Sequence, residues 1–122
     1  GILSIISKKL GAKKVIGIDN DHQALRNAER NKQLNSMEID FFHTDNYQGS
    51  LKYDIVIANI LLNTIIGLKE TLISSLNPNG ILILTGILKD QAIELISAFS
   101  PEINLSIIEE QEGWLLFQGK NS

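Results

Sequence analysis

Polar residues stand at the ends of several apolar runs, where side chains can reach a ligand. Asp19 follows the apolar run VIGI, and Asn59 follows IVIA. Thr85 and Gly86 lie within the strand-like segment ILILTGI, and Asp45 comes shortly after the alternating segment EIDFFH. A carboxylate can accept hydrogen bonds from both hydroxyls of a vicinal diol or from an amine, and an amide offers a carbonyl that accepts and an NH₂ that donates. These residue types indicate the binding of a ligand that carries sugar hydroxyls and amines.

Three of these side chains, those of Asp19, Asp45 and Asn59, also have a purely structural alternative. Asp19 could cap a helix that begins near Asp21. Asp45 could form an Asx-turn in the polar loop around it. Asn59 could be the N-cap of the helix that follows it. Composition and spacing leave both alternatives open for each residue.

The elements that position these residues follow from the period of the apolar side chains. Helices are predicted over residues 2–10, 21–35, 60–76 and 89–98. Strands are predicted over residues 13–19, 38–43, 53–59, 81–87, 103–110 and 114–119, with turns at 77–80 and 111–113. Because strands and helices mostly alternate, we predict one α/β domain over 1–122 with a mostly parallel sheet and helices on both faces. The short turn at 111–113 predicts an antiparallel hairpin at the end.

Ligands of an open α/β sheet bind outside the carboxyl ends of its strands, so Asp19, Asn59 and Asp45 are expected on one edge. Nucleotide-binding βαβ units place an acid about 20 residues beyond a glycine-rich loop, where it binds the ribose. Gly1 and Asp19 have about this spacing. Gly1 therefore has the position of the last glycine of such a loop, and the chain is interpreted as an N-terminally truncated domain.

Composition excludes several other kinds of site. The chain has no cysteine and a net charge of −3, which exclude thiolate chemistry and argue against a nucleic-acid surface. His22 and His43 lack a close acidic grouping, so no metal site is predicted. No apolar run reaches the roughly 18 residues of a membrane span. Trp114 is expected to pack in the terminal hairpin, and the protein is expected to be a cytoplasmic monomer.

The chain resembles the class I S-adenosylmethionine-dependent methyltransferases, which have a Rossmann-like sheet. Within them it resembles the C-terminal catalytic half of the PrmA family, which modifies the large-subunit ribosomal protein numbered eleven. The matching segments are GILSI, LGAKKVIGIDND, YDIVIANIL, LNPNGILILTGIL and EGW. The resemblance implies methyl transfer from S-adenosylmethionine to lysine or N-terminal amines of a ribosomal protein. Asp19 would bind the cofactor's ribose, and Asn59 would lie against its methionine end and the incoming amine. Gly1 would end a G-x-G-x-G loop; Asp45 is the candidate for the adenine amine.

The resemblance also implies that further parts of the family's fold are not in this sequence. These are the earlier glycines of the loop, an N-terminal domain that recognises the substrate, and a central strand between those predicted over 13–19 and 53–59. Each of these two strands would then lack a partner along one edge. Asn20 stands where the family more often has an aliphatic residue.

Two other functions stay open on the sequence alone. A nicotinamide-dependent dehydrogenase domain would use the same glycine loop and ribose acid, although the terminal hairpin and Asn59 argue against it. A non-catalytic remnant of a methyltransferase is the third hypothesis, which the sequence upstream of Gly1 would test.

Overall fold

The structure, a computed structural model, describes residues 15–19, 39–43 and 51–121. Its strands are β1 (Val15–Asp19), β2 (Ile39–His43), β3 (Tyr53–Asn59), β4 (Leu76–Leu88), β5 (Ser106–Gln111) and β6 (Trp114–Lys120). Its helices are α1 (Leu62–Gly67), α2 (Lys69–Ser74) and α3 (Ala92–Phe99). The predicted helices 2–10 and 21–35, as well as Gly1 and Asp45, lie outside the described residues.

The strands form one sheet in the order β2-β1-β3-β4-β6-β5. Strands β2, β1, β3 and β4 run parallel, whereas β6 is antiparallel to both β4 and β5. This confirms the mostly parallel sheet with a terminal antiparallel hairpin. The parallel strands all end at one edge, which we call the carboxyl edge.

The pairing of β1 with β3 corrects one expectation. Val15 lies opposite Ile55, and the register continues to Asp19 opposite Asn59. The prediction that each of these two strands would lack a partner along one edge was therefore wrong. Both strands are apolar on both faces and therefore buried, and unpaired buried backbone N–H and C=O groups are costly. By pairing directly, β1 and β3 satisfy the hydrogen bonds of each other's backbone along the edges that face each other.

The core lies on both faces of the sheet. Val56, Ala58 and Leu82 face the larger cluster, which includes the buried Leu95 and Phe99 of α3. The smaller cluster on the other face contains Val15, Ile55, Ile57, Ile83 and Leu116. Adjacent residues of β3 and β4 are buried on opposite faces, which is typical of central parallel strands.

The predicted helix 60–76 was wrong in its bounds and its continuity. The chain forms α1 and α2, separated by Leu68, whose N–H donates to the carbonyl oxygens of both Thr64 and Ile65 at 3.0 and 3.1 Å. Gly67 precedes this break, and glycine lowers helix stability by about 1 kcal/mol relative to alanine.

Among the described residues, no helix has the length and hydropathy to cross a membrane.

The turn predicted at 77–80 lies instead within the long strand β4. Asn79 donates its N–H to the carbonyl oxygen of Asn121, and Asn121 donates its own to Gly80, at 2.7 and 2.8 Å. The left-handed φ of 66° at Asn79 is the part of the turn that remains. These bonds to the C-terminal end of the chain extend the strand pairing through residues that favour turns locally.

The other boundaries of the second half are close to the predictions. The turn before β6 consists of Glu112 and Gly113, both with positive φ, between the opposed residues Gln111 and Trp114. Positive φ at both central residues is typical of the tight turns that join hairpin strands. The predicted helix 89–98 begins as a 3₁₀ turn, Lys89–Gln91, and continues as α3.

A Gly119→Ala variant is expected to lose about 1–3 kcal/mol of unfolding free energy, as overpacked cores do. A Cβ at Gly119 would meet the side chain of Ile103 and would lie 2.9 Å from Cδ2 of Leu105. Urea denaturation followed by circular dichroism measures the loss. Gly67→Ala is the control for a Cβ added without a clash, since it meets nothing within 4 Å there, and it should keep or raise the unfolding free energy. An equal midpoint for Gly119→Ala and the parent protein would contradict the expectation.

Candidate active site at the carboxyl edge

Three polar residues end or nearly end adjacent parallel strands and lie in one row across the sheet. Asp19 of β1 lies opposite Asn59 of β3, and Asn59 lies opposite Thr85 of β4. The row continues on the other side of β1 to His43 of β2. The register of parallel pairing therefore brings together residues that are far apart in the sequence, at the edge where α/β sheets bind ligands.

The side chains of this row form a chain of hydrogen bonds. Asn59 donates from Nδ2 to Oδ2 of Asp19 at 3.0 Å. Thr85 donates from Oγ1 to Oδ1 of Asn59 at 2.9 Å. Asn59 is exposed, while Asp19 and Thr85 are half-buried, so the row is open to solvent on the side of Asn59. We call these three residues the polar row.

The carboxylate of Asp19 determines which way the amide of Asn59 points. An ionised carboxylate only accepts hydrogen bonds, so the amide nitrogen must face Asp19 and the carbonyl oxygen must face Thr85. The Thr85 hydroxyl then has to donate. The directions of both hydrogen bonds thus follow from the carboxylate of Asp19. The orientation of an amide is assigned from such hydrogen-bond networks.

Gly86 allows Asn59 to lie where it does. A Cβ at this position would come 2.9 Å from Oδ1 of Asn59 and 3.4 Å from the carbonyl oxygen of Ile60. Its φ of +85° is also in the region that favours glycine. Both the backbone conformation and the space beside the amide therefore require the absence of a side chain.

The capping alternative for Asn59 is wrong. The N-cap of α1 is Leu61, and no side chain caps this helix. The Asn59 side chain instead contacts the two other members of the polar row.

Where the chain is described, no group of three or more His, Asp or Glu side chains is placed to hold a metal ion.

Large apolar side chains near the carboxyl edge are exposed, which the sequence did not predict. Trp114 and Leu88, opposite each other in β6 and β4, are 49% and 40% exposed, and Leu61 is 63% exposed. Trp114 was expected to pack in the hairpin. The sequence did contain a signal for this exposure, because Trp114 begins the second strand of the predicted hairpin. A strand that runs antiparallel to β4 begins beside the carboxyl end of β4, at the edge of the sheet.

The family model described as ribosomal protein L11 methyltransferase (PrmA) matches residues 1–122. The chain belongs to this family. The resemblance noted in the sequence is thereby confirmed.

Curated members of the PrmA family are similar along almost the whole chain. The ribosomal protein L11 methyltransferase of Janthinobacterium sp. (strain Marseille) is 38% identical over 98% of the chain. That of Paraburkholderia phytofirmans is 40% identical, also over 98%. The chain spans 40% of the length of the first and 39% of the second.

Solved structures agree with the fold of the PrmA family. The ribosomal protein L11 methylase of Lactobacillus delbrueckii subsp. bulgaricus matches with a TM-score of 0.72 and 28% identity, over 100% of this chain and 65% of that one. The N-methyltransferase NodS of Bradyrhizobium japonicum, in complex with S-adenosyl-L-homocysteine, matches with a TM-score of 0.64 at 10% identity, over 98% of this chain and 84% of that one. The second likeness shows the fold alone, and together they confirm the Rossmann-like methyltransferase sheet.

Proposed function

We propose that the protein containing this chain transfers methyl groups from S-adenosylmethionine to lysine or N-terminal amines of ribosomal protein L11. The observation that carries the proposal is the polar row at the ligand edge of the sheet, in a chain of the PrmA family. Relatives of known name in this family are L11 methyltransferases, which supports the same substrate here. Three further points stay predictions. The protein is a cytoplasmic monomer, it makes no direct contact with nucleic acid, and residues 1–122 form one partial catalytic domain.

The described residues fit an S-adenosylmethionine site. The Asp19 carboxylate at the end of β1 suits the ribose diol, since a carboxylate accepts several hydrogen bonds at once. Asn59 is exposed beside it and would present its amide to the methionine end. The lack of a Cβ at Gly86 keeps the space beside this amide open. Gly1 and Asp45 are proposed as further cofactor contacts.

The proposed role of the protein in the reaction is orientation. When bound, S-adenosylmethionine supplies a methyl group that its sulfonium already activates. Asn59 would accept a hydrogen bond from the substrate amine at Oδ1 and so direct the nitrogen lone pair toward that methyl group. The amine must be unprotonated to have this lone pair, and the proton that its nitrogen loses afterwards can pass to water. Orientation of two reactants accounts for a large part of many enzymatic rates.

Calorimetric titration of the complete protein with S-adenosylmethionine tests the cofactor, and mass spectrometry of L11 after incubation tests the substrate. We expect saturable binding and mass increases of one or more methyl groups on L11 amines. A titration without heat of binding would contradict the proposed cofactor and support the non-catalytic alternative. Binding without methylation of L11 would contradict the substrate only.

An Asp19→Asn variant is expected to weaken S-adenosylmethionine binding about tenfold or more, because hydrogen bonds to a charged group contribute about 1.5–3 kcal/mol. The amide is nearly the same size but accepts less strongly. Asp54→Asn is the matched control, since Asp54 lies at the other end of the sheet on β3 and accepts from Nδ2 of Asn77 at 3.2 Å. Equal dissociation constants for Asp19→Asn and the parent protein would remove Asp19 from the cofactor site.

A further inference from the structure

Thr85 belongs to the polar row, but neither cofactor binding nor orientation of the amine, as proposed above, uses its side chain. It is half-buried on β4, between the buried Leu84 and the half-buried Gly86. Its hydroxyl donates to Oδ1 of Asn59 at 2.9 Å, across the paired strands β3 and β4. A threonine at a strand end could simply satisfy its own hydroxyl, so the direction and the partner of this bond decide what it does.

The partner is Asn59, and the orientation of its amide decides whether its oxygen or its nitrogen faces β4. The terminal torsion of asparagine is broad and roughly two-fold, so an exposed amide can present either its oxygen or its nitrogen. Threonine is β-branched and stiff at χ1, which makes its hydroxyl a well-placed donor. A hydroxyl can donate or accept, so Asp19 selects the orientation in which Oδ1 of Asn59 faces β4, and Thr85 stabilises that orientation by donating to Oδ1.

The amide keeps enough hydrogen-bonding capacity for a ligand in this orientation. A carbonyl oxygen has two lone pairs, and an amide NH₂ has two protons. Thr85 occupies one lone pair of Oδ1, and Asp19 accepts one proton of Nδ2. The second lone pair of Oδ1 can accept from an amine N–H.

We propose that Thr85 is a positioning residue, whose hydroxyl holds the amide of Asn59 in the orientation that accepts the substrate amine. This inference rests on the proposed function for its effect on catalysis. Gly86 completes the arrangement, because any Cβ there would push against the same oxygen. Thr85 acts through Asn59 and does not itself contact the reacting atoms.

The kinetic test compares Thr85→Val and Thr85→Ser in the complete protein. Valine keeps the shape and removes the donor, and we expect kcat to fall about fivefold to tenfold, the fold-change of one neutral hydrogen bond. The KM for S-adenosylmethionine should stay within about twofold, because positioning of the amine acts on kcat. Serine restores the donor and should restore kcat. Thr71→Val on α2 is the matched control and should change neither constant.

A double-mutant cycle with Asn59→Ala shows whether Thr85 acts through Asn59. If it does, Thr85→Val has no further effect on kcat once Asn59 has been truncated. Equal losses of kcat in both backgrounds would overturn the proposal, as would full activity of Thr85→Val or a failure of serine to restore activity.

Nuclear magnetic resonance of protein labelled with ¹⁵N-asparagine tests the contact without depending on methyl transfer. The side-chain NH₂ signals of Asn59 are assigned by their loss in Asn59→Ala. We expect Thr85→Val to shift them and Thr85→Ser to leave them close to their original positions. Unmoved signals in Thr85→Val overturn this inference. Absence of cofactor binding by the parent protein contradicts the proposed function, and the two failures are therefore distinguishable.

Discussion

An Asn59→Ala variant of the complete protein should lose about 100-fold in kcat/KM for methyl transfer, the order of loss that follows from misplacing a reactant by about 1 Å. The alanine removes the oxygen that accepts from the substrate amine and the NH₂ that donates to Asp19. Asn59 is exposed and does not cap α1, so its truncation leaves the core and the helix start intact. The unfolding free energy should therefore change by less than about 0.5 kcal/mol.

Initial rates of methyl incorporation into L11, measured with urea denaturation on the same samples, check both parts of this expectation. Asn104→Ala is the matched control. Asn104 is also exposed, but it precedes β5 and lies away from the carboxyl edge. A kcat/KM within threefold of the parent value would reduce Asn59 to a surface residue. A large loss of unfolding free energy would mean that the polar row stabilises the sheet.

The convergence of Asp19 and Asn59 could be predicted because it depends on simple regularities. Apolar runs of strand length fixed where β1 and β3 end, and parallel strands end at the same edge of a sheet. The structure confirms both strand ends and places the two side chains in direct contact. Their roles toward the cofactor and the substrate amine remain predictions.

Other features depend on pairings between distant segments, which local patterns do not contain. Asn77, Pro78, Asn79 and Gly80 favour a turn locally, but hydrogen bonds to Asn121 extend β4 through them. The bond from Thr85 to Asn59 requires the register between β3 and β4. The direct pairing of β1 with β3 was missed because the family resemblance suggested a strand between them.

A Gly86→Ala variant should lose both stability and activity, for two separable reasons. A φ of +85° is unfavourable for any residue with a Cβ and costs about 1–2 kcal/mol. The new Cβ would also lie 2.9 Å from Oδ1 of Asn59 and would displace the amide. Because the displaced oxygen no longer meets the substrate amine, kcat/KM should fall about 100-fold, as in Asn59→Ala.

Gly113→Ala separates the two causes. Gly113 has nearly the same φ, +84°, but a Cβ there meets nothing within 4 Å. It should therefore lose the same 1–2 kcal/mol or so of unfolding free energy from backbone strain and keep its methyl transfer activity. If Gly113→Ala and Gly86→Ala lose activity equally, strain alone explains the loss. If only Gly86→Ala becomes inactive, the need for glycine at this position comes from the amide of Asn59, which links the backbone of β4 to the substrate amine.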